Sequence, residues 1–219
     1  MKDIIVVNFK TYKEGTAKNA IKLAEICKSV SEKTKKEIYA AVQLTDISQC
    51  SKIVKVFAQH IDFCEPDKNT GFITAYAVKN SNAIGTILNH SEHRISIEVL
   101  EKSINAAKKS GLITIVCADT PQWAEKVAKL NPDYIAIEPP ELIGGDISVS
   151  TSRPEIITET IAKVNAIKKI PVLCGAGIKT KEDVRIAKKL GASGILVASG
   201  IVLAKNPEKE LTEMAEGLN

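Results

Sequence analysis

The feature that most constrains this chain is an alternation carried along its whole length. Short, β-branched apolar runs take turns with longer segments of helical periodicity. The runs fall at 4–7, 37–42, 56–59, 85–88, 112–116, 134–137, 171–174 and 194–197. Runs this short, and apolar throughout rather than every second residue, are the pattern of strands buried on both faces. Helices are expected at about 16–33, from Asp46, at 97–110, from Pro121, at about 154–168, at 181–190 and around 208–216. Gly111 and Gly191 end two of them, and Pro121 takes a favourable first position in a third. Between the third and fourth runs lies a longer loop through Pro66 and Asn69-Thr70-Gly71. Eight βα units predict an α/β fold with a parallel sheet under a layer of helices. At this length they fit a closed (β/α)8 barrel, one domain over residues 1–219. A doubly wound open sheet is the other way to use such units. Its first turn is usually Gly-rich, whereas here it reads Asn8-Phe9-Lys10.

Composition narrows the function. Hydrophobic residues are 44% of the chain and no apolar run approaches the length of a membrane-spanning helix, so a membrane protein is not expected. The start, MKDIIVVNFK, enters a strand at once and lacks a signal peptide's cleavage region, which predicts a cytoplasmic protein. A net charge of +4 is small and dispersed, and only Arg94, Arg153 and Arg185 are arginine, so nucleic acid is not an expected partner. The five cysteines are scattered without a Cys-x-x-Cys pair, which suggests neither a zinc site nor a disulfide framework. Cys117 and Cys174 end apolar runs and are expected to be small buried hydrophobes.

In a barrel of parallel strands the strand C-termini open on one face, where catalytic groups gather. The first strand delivers Asn8 and Lys10, two residues apart and so expected on one side of it. The fourth delivers His90, with Glu92 close behind. The sixth delivers Glu138 directly into Pro139-Pro140, which fixes the backbone after the carboxylate, and Gly144-Gly145 closes that segment with permissive backbone. The seventh and eighth supply only small residues: Gly175-Ala176-Gly177 and Ala198-Ser199-Gly200. Singly, each has an ordinary alternative. Glu138 can be a solvated carboxylate at a strand end, Lys10 a surface lysine, His90 a structural histidine, and the glycines a tight turn. Together they put a base, an electrophile, a cation and a set of approachable backbone amides on one face.

Five separated segments, covering almost the entire chain in order, resemble the triosephosphate isomerases in their short archaeal form. They are Asn8-Phe9-Lys10, Asn89-His90-Ser91-Glu92, Ile137-Glu138-Pro139-Pro140-Glu141-Leu142-Ile143-Gly144, Cys174-Gly175-Ala176-Gly177 and Leu196-Val197-Ala198-Ser199-Gly200. The resemblance implies a TIM barrel that interconverts dihydroxyacetone phosphate and D-glyceraldehyde 3-phosphate without metal or cofactor. It implies Glu138 as the base that moves a carbon-bound proton, His90 as the electrophile, and Asn8 and Lys10 as substrate contacts. Glu92 would pair with Lys10 or hold it in place. The phosphate site falls on Ile143 and Gly144, on Gly175 and Gly177, and on Ala198 and Ser199. His90 is expected near the start of a helix, whose N-terminus would disfavour the protonated ring. Closure of the Glu138 loop would exclude water.

Two positions depart from the resemblance. Gly145-Asp146 stands where the family commonly has Thr-Gly, and a carboxylate there would repel a phosphate dianion if it pointed inward or cap the next turn if it pointed outward. Val42 stands where a proline often precedes Gln43. Thr70-Gly71 resembles the family's loop that reaches into a neighbouring subunit, which implies a homo-oligomer, dimer or tetramer. The competing readings are another sugar-phosphate isomerase, a Schiff-base aldolase using Lys10, and a phosphate-ester-binding barrel without turnover.

Overall fold

The structure, a computed structural model, describes residues 3–139 and 148–219. Its strands are, in order, β1 Ile4–Asn8, β2 Glu37–Val42, β3 Val56–Ala58, β4 Gly85–Leu88, β5 Ile113–Ala118, β6 Tyr134–Ile137, β7 Val172–Cys174 and β8 Gly194–Val197. Each pairs in parallel with the next, and β8 returns to β1 through the Ile4↔Gly194 to Val7↔Val197 register. That closure is the predicted barrel, and it removes the open-sheet alternative.

The helices are, in order, α1 Lys18–Thr34, α2 Ile47–Cys50, α3 Ala75–Asn80, α4 Ile97–Lys109, α5 Pro121–Lys129, α6 Val149–Ser152, α7 Pro154–Ile167, α8 Lys181–Lys189, α9 Ser199–Val202 and α10 Pro207–Glu216. The long ones bury one stripe against the strands. In α4 Leu100, Ile104 and Ala107 recur at intervals of four and three and are almost fully buried. Burial at each large apolar position contributes about 1.5–3 kcal/mol. Thr74, Ser96, Thr120 and Thr180 each accept a backbone N–H of the helix they precede. Such caps are typically worth about 1 kcal/mol each. No helix of the described residues is long and apolar enough to cross a membrane.

Side-chain alternation along the strands splits the apolar residues into two layers. Ile4, Val6, Ala41, Phe57, Ile87, Ile115, Cys117, Ala136, Leu173 and Leu196 fill the barrel interior. Ile5, Val7, Val42, Ile135, Ile137, Cys174, Ile195 and Val197 belong to the layer beneath the helices. This phase positions the site. After Val6, Ala136, Leu173 and Leu196, the next inward positions are Asn8, Glu138, Gly175 and Ala198.

Several expected boundaries move. β1 runs to Asn8, β5 is 113–118 rather than 112–116, β3 stops at Ala58 and β7 begins at Val172. The helix expected from Asp46 is a 3-10 turn, Leu44–Asp46, followed by one turn of α2. α3, α6 and α9 are additional. At four to six residues they carry too few turns to show a helical period.

Candidate active site

Asn8 ends β1 almost completely buried, 5% exposed, and its Oδ1 accepts the N–H of Lys10 at 3.0 Å. Lys10 is not on the strand. It stands in the turn beyond it with φ +48°, a left-handed backbone that the Asn8 bond and Gln59 Nε2, donating to the Lys10 carbonyl at 2.9 Å, hold in place. The two residues therefore reach one cavity by a turn, and not by strand alternation. Lys10 Nζ donates to Glu92 Oε1 at 2.6 Å. Glu92 is 58% exposed, so the pair adds at most about 1 kcal/mol and its value lies in aiming the ammonium.

His90 reaches the interior through a second left-handed residue. Asn89 has φ +57°, and its amide bridges two segments, donating to Cys117 O at 3.0 Å and accepting from Ile95 N at 3.1 Å. The expected helix start is not at His90: α4 begins at Ile97, behind the N-cap Ser96. The backbone sets the ring's tautomer instead. The Glu92 N–H donates to Nδ1 at 3.1 Å, and a ring accepting there carries its proton on Nε2. Nε2 lies 3.6 Å from Glu138 Oε1. With a neutral ring this is a polar approach across the cavity, not an ion pair.

Glu138 is 4% exposed, and its Oε2 has no hydrogen-bond partner among the described residues. Its N–H donates to Ala118 O at 2.8 Å, which continues the β5–β6 pairing one residue past the strand and fixes the side chain's origin. Burial pushes its carboxyl above the ordinary carboxylate range, while His90, the Cys117 thiol and Lys10 pull partly the other way. Cys117 is buried as expected, and burial, then the Glu138 charge, hold its thiol well above the usual range, so it stays protonated beside the carboxylate. Behind Glu138 stands Gly175. A Cβ there would lie 2.5 Å from Glu138 Cγ, so only glycine leaves the carboxylate its position.

Asn8, Lys10, His90, Glu138, Gly175, Gly177, Ala198 and Ser199, all singled out in the sequence, line one cavity. Its wall also includes Gly200, from the small-residue turn after the eighth strand, and Ile178 and Lys179, which the sequence did not mark. Lys179 stands two residues after the Gly-Ala-Gly turn, and that nearness is the signal that could have marked it. Ile143, Gly144 and Asp146 lie outside the described residues. Beyond Lys10 a second hollow shares Asn8, Lys10 and His90 and is walled by Gln43, Gln59, His60, Ile73, Glu92 and His93. Among the described residues no three His, Cys, Asp or Glu side chains are grouped to hold a metal ion. The chemistry available is proton transfer. A desolvated carboxylate faces an imidazole N–H and an ammonium, the groups needed to take a proton next to a carbonyl and stabilise the oxyanion that results.

Known proteins resemble this chain along almost its whole length. The family model described as triosephosphate isomerase matches residues 3–216. Triosephosphate isomerase of Methanosarcina barkeri is 44% identical over 215 residues, covering 96% of either chain. That of Methanocaldococcus jannaschii is 45% identical over 214 residues, covering 96% of this chain and 98% of the other. Among solved structures, triosephosphate isomerase from Bartonella henselae superposes with a TM-score of 0.77 over 99% of both chains at 16% identity, a likeness of fold.

Proposed function

The chain belongs to the triosephosphate isomerase family, and on that premise we propose that it interconverts dihydroxyacetone phosphate and D-glyceraldehyde 3-phosphate with Glu138 as the proton carrier. The observation that carries the assignment is the buried Glu138 carboxylate, 3.6 Å from His90 Nε2 in the cavity that also holds Lys10. Glu138 takes the proton from the hydroxymethyl carbon. The C–H electron pair becomes the carbon–carbon double bond, and the carbonyl electrons move onto oxygen as an enediolate. The His90 Nε2–H and the Lys10 ammonium stabilise that charge, and His90 serves the exchange of hydroxyl protons between the two oxygens. Protonated Glu138 then returns its proton to the adjacent carbon, so one carboxylate is base and then acid. Asn8 and Lys10 contact the substrate.

The phosphate is held by backbone amides at Gly177, Ala198 and Ser199, beside Gly175 and together with Ile143 and Gly144. Small side chains there let the main chain approach an anion closely. Residues 1–219 act as one catalytic domain in the cytoplasm, without cofactor. The protein is a homo-oligomer, dimer or tetramer, with the exposed Thr70-Gly71 loop at the interface.

A coupled isomerase assay in both directions tests the reading, with Glu138→Gln beside the wild type. The variant should lose on the order of a thousandfold in kcat, the range of a lost general base. Unchanged turnover in Glu138→Gln would sink the base assignment.

A further inference from the structure

We infer that Lys179 is a phosphate-binding residue, a second cation in the substrate cavity that recognises the phosphate dianion. The inference rests on the isomerase reading and adds to it a side chain that neither the sequence motifs nor the relatives' names assign.

Three observations carry it. First, Lys179 lines the same cavity as Lys10, His90 and Glu138, half-buried in its wall. Second, it stands against the segment proposed to hold phosphate. A Cβ on Gly200 would lie 3.1 Å from the Ile178 carbonyl oxygen and 3.6 Å from Lys179 Cα, so the two segments pack backbone to backbone. Lys179, Ser199 and Gly200 therefore belong to adjoining stretches of one cavity wall. Third, the main chain at Lys179 is built rigidly. One buried carboxylate oxygen, Asp183 Oδ2, accepts the Lys179 N–H at 3.1 Å, the Thr180 N–H at 2.9 Å and the Thr180 hydroxyl at 2.8 Å. Ile178, 4% exposed, anchors the preceding residue in the apolar layer.

Charge explains why such a residue is needed. Lys10 is offset by Glu92 at 2.6 Å, and Glu138 places another carboxylate in the cavity. A phosphate monoester brings close to two further negative charges into this space. Lys179 adds a second lysine to the cavity wall at the phosphate end, besides the one aimed at the reacting oxygens.

The test compares wild type, Lys179→Gln and Lys179→Arg with D-glyceraldehyde 3-phosphate, with phosphate-free D-glyceraldehyde, and with inorganic phosphate as competitive inhibitor. Lys179→Gln should raise both the KM for the phosphorylated substrate and the inhibition constant of inorganic phosphate about tenfold, the size of a lost hydrogen bond to a charged group. The effect should shrink as ionic strength rises, and Lys179→Arg should recover most of it. The loss in kcat/KM should be several times larger for the phosphorylated substrate than for glyceraldehyde. An unchanged inhibition constant, or an equal loss on both substrates as lost packing would give, overturns the inference. If the wild type turned over neither triose phosphate, the isomerase reading would fall, and calorimetric binding of inorganic phosphate would still decide Lys179. Equal affinity in wild type and Lys179→Gln overturns it.

Discussion

At the scale of single residues, Glu138 combines two demands that oppose each other. Its burial and an Oε2 without a hydrogen-bond partner among the described residues make it a stronger base, and the same burial makes its charged form a cost to the fold. Because its folded pKa is raised, protonation favours the native state. That contribution is whole below the unfolded pKa and is lost as pH rises through the folded one. Two outcomes follow. The acid limb of kcat/KM should lie above an ordinary carboxylate's pKa, since turnover needs the ionised form. Glu138→Gln should raise the melting temperature at neutral pH, a gain that disappears in acid, where the wild-type side chain is also neutral. Melting curves from pH 4 to 8 check it, and a Gln variant less stable than wild type at neutral pH would contradict it. Gly175 tests the same carboxylate from behind. Its Ala variant should fold and lose about a hundredfold in kcat, since a misplacement near 1 Å is worth that much. Glu138, His90 and Lys10 were legible because chemistry-bearing side chains at strand ends stand out against apolar runs. The left-handed turns at Lys10 and Asn89 were not, because part of the hydrogen bonding that holds them comes from Gln59 and from the Cys117 main chain, distant in sequence. Lys179 escaped because Lys179-Thr180-Lys181-Glu182 reads as one more solvated helix start.

At the scale of elements, the strands were readable because the barrel buries both their faces, so each shows as a continuous apolar run. The shifted ends of β3, β5 and β7 reflect where neighbours supply hydrogen bonds, which no local pattern encodes. α8 shows how an element's end becomes part of the site. Thr180 and Asp183 form a reciprocal capping box, and the Asp183 carboxylate also accepts the N–H of Lys179, which lines the cavity. Asp183 is 8% exposed, so truncating it leaves three part-buried donors without their acceptor at once. Asp183→Ala should cost about 2–4 kcal/mol in urea unfolding, more than a simple cap, and should also raise the KM for triose phosphate. A stability loss with unchanged KM would mean that the cap and the cavity wall are independent.

At the scale of the whole molecule, the span between β3 and α3 is the region whose composition does not suit a lone barrel. Phe63 and Phe72 are 40% and 50% exposed, and Tyr76, just inside α3, is 60% exposed. Beside them lies the hollow walled by Gln59, His60 and Ile73 from the same span, and by Lys10, His90 and Glu92 from the active site. Exposed aromatic side chains beside a recess suit a two-fold, self-complementary contact, because each copy offers both. If the Thr70-Gly71 loop of one copy fills the hollow of the other, assembly presses on the turns that aim Lys10 and His90. Oligomerisation then becomes a condition of full activity. Phe72→Glu should yield a species of monomer mass by analytical ultracentrifugation, with kcat lowered about tenfold or more. Wild-type activity per subunit should fall on dilution, while the variant's, already monomeric, should not, since only an assembling protein has a concentration-dependent active fraction. A variant that kept both its oligomeric mass and its rate would place the interface elsewhere and leave these apolar side chains without that role.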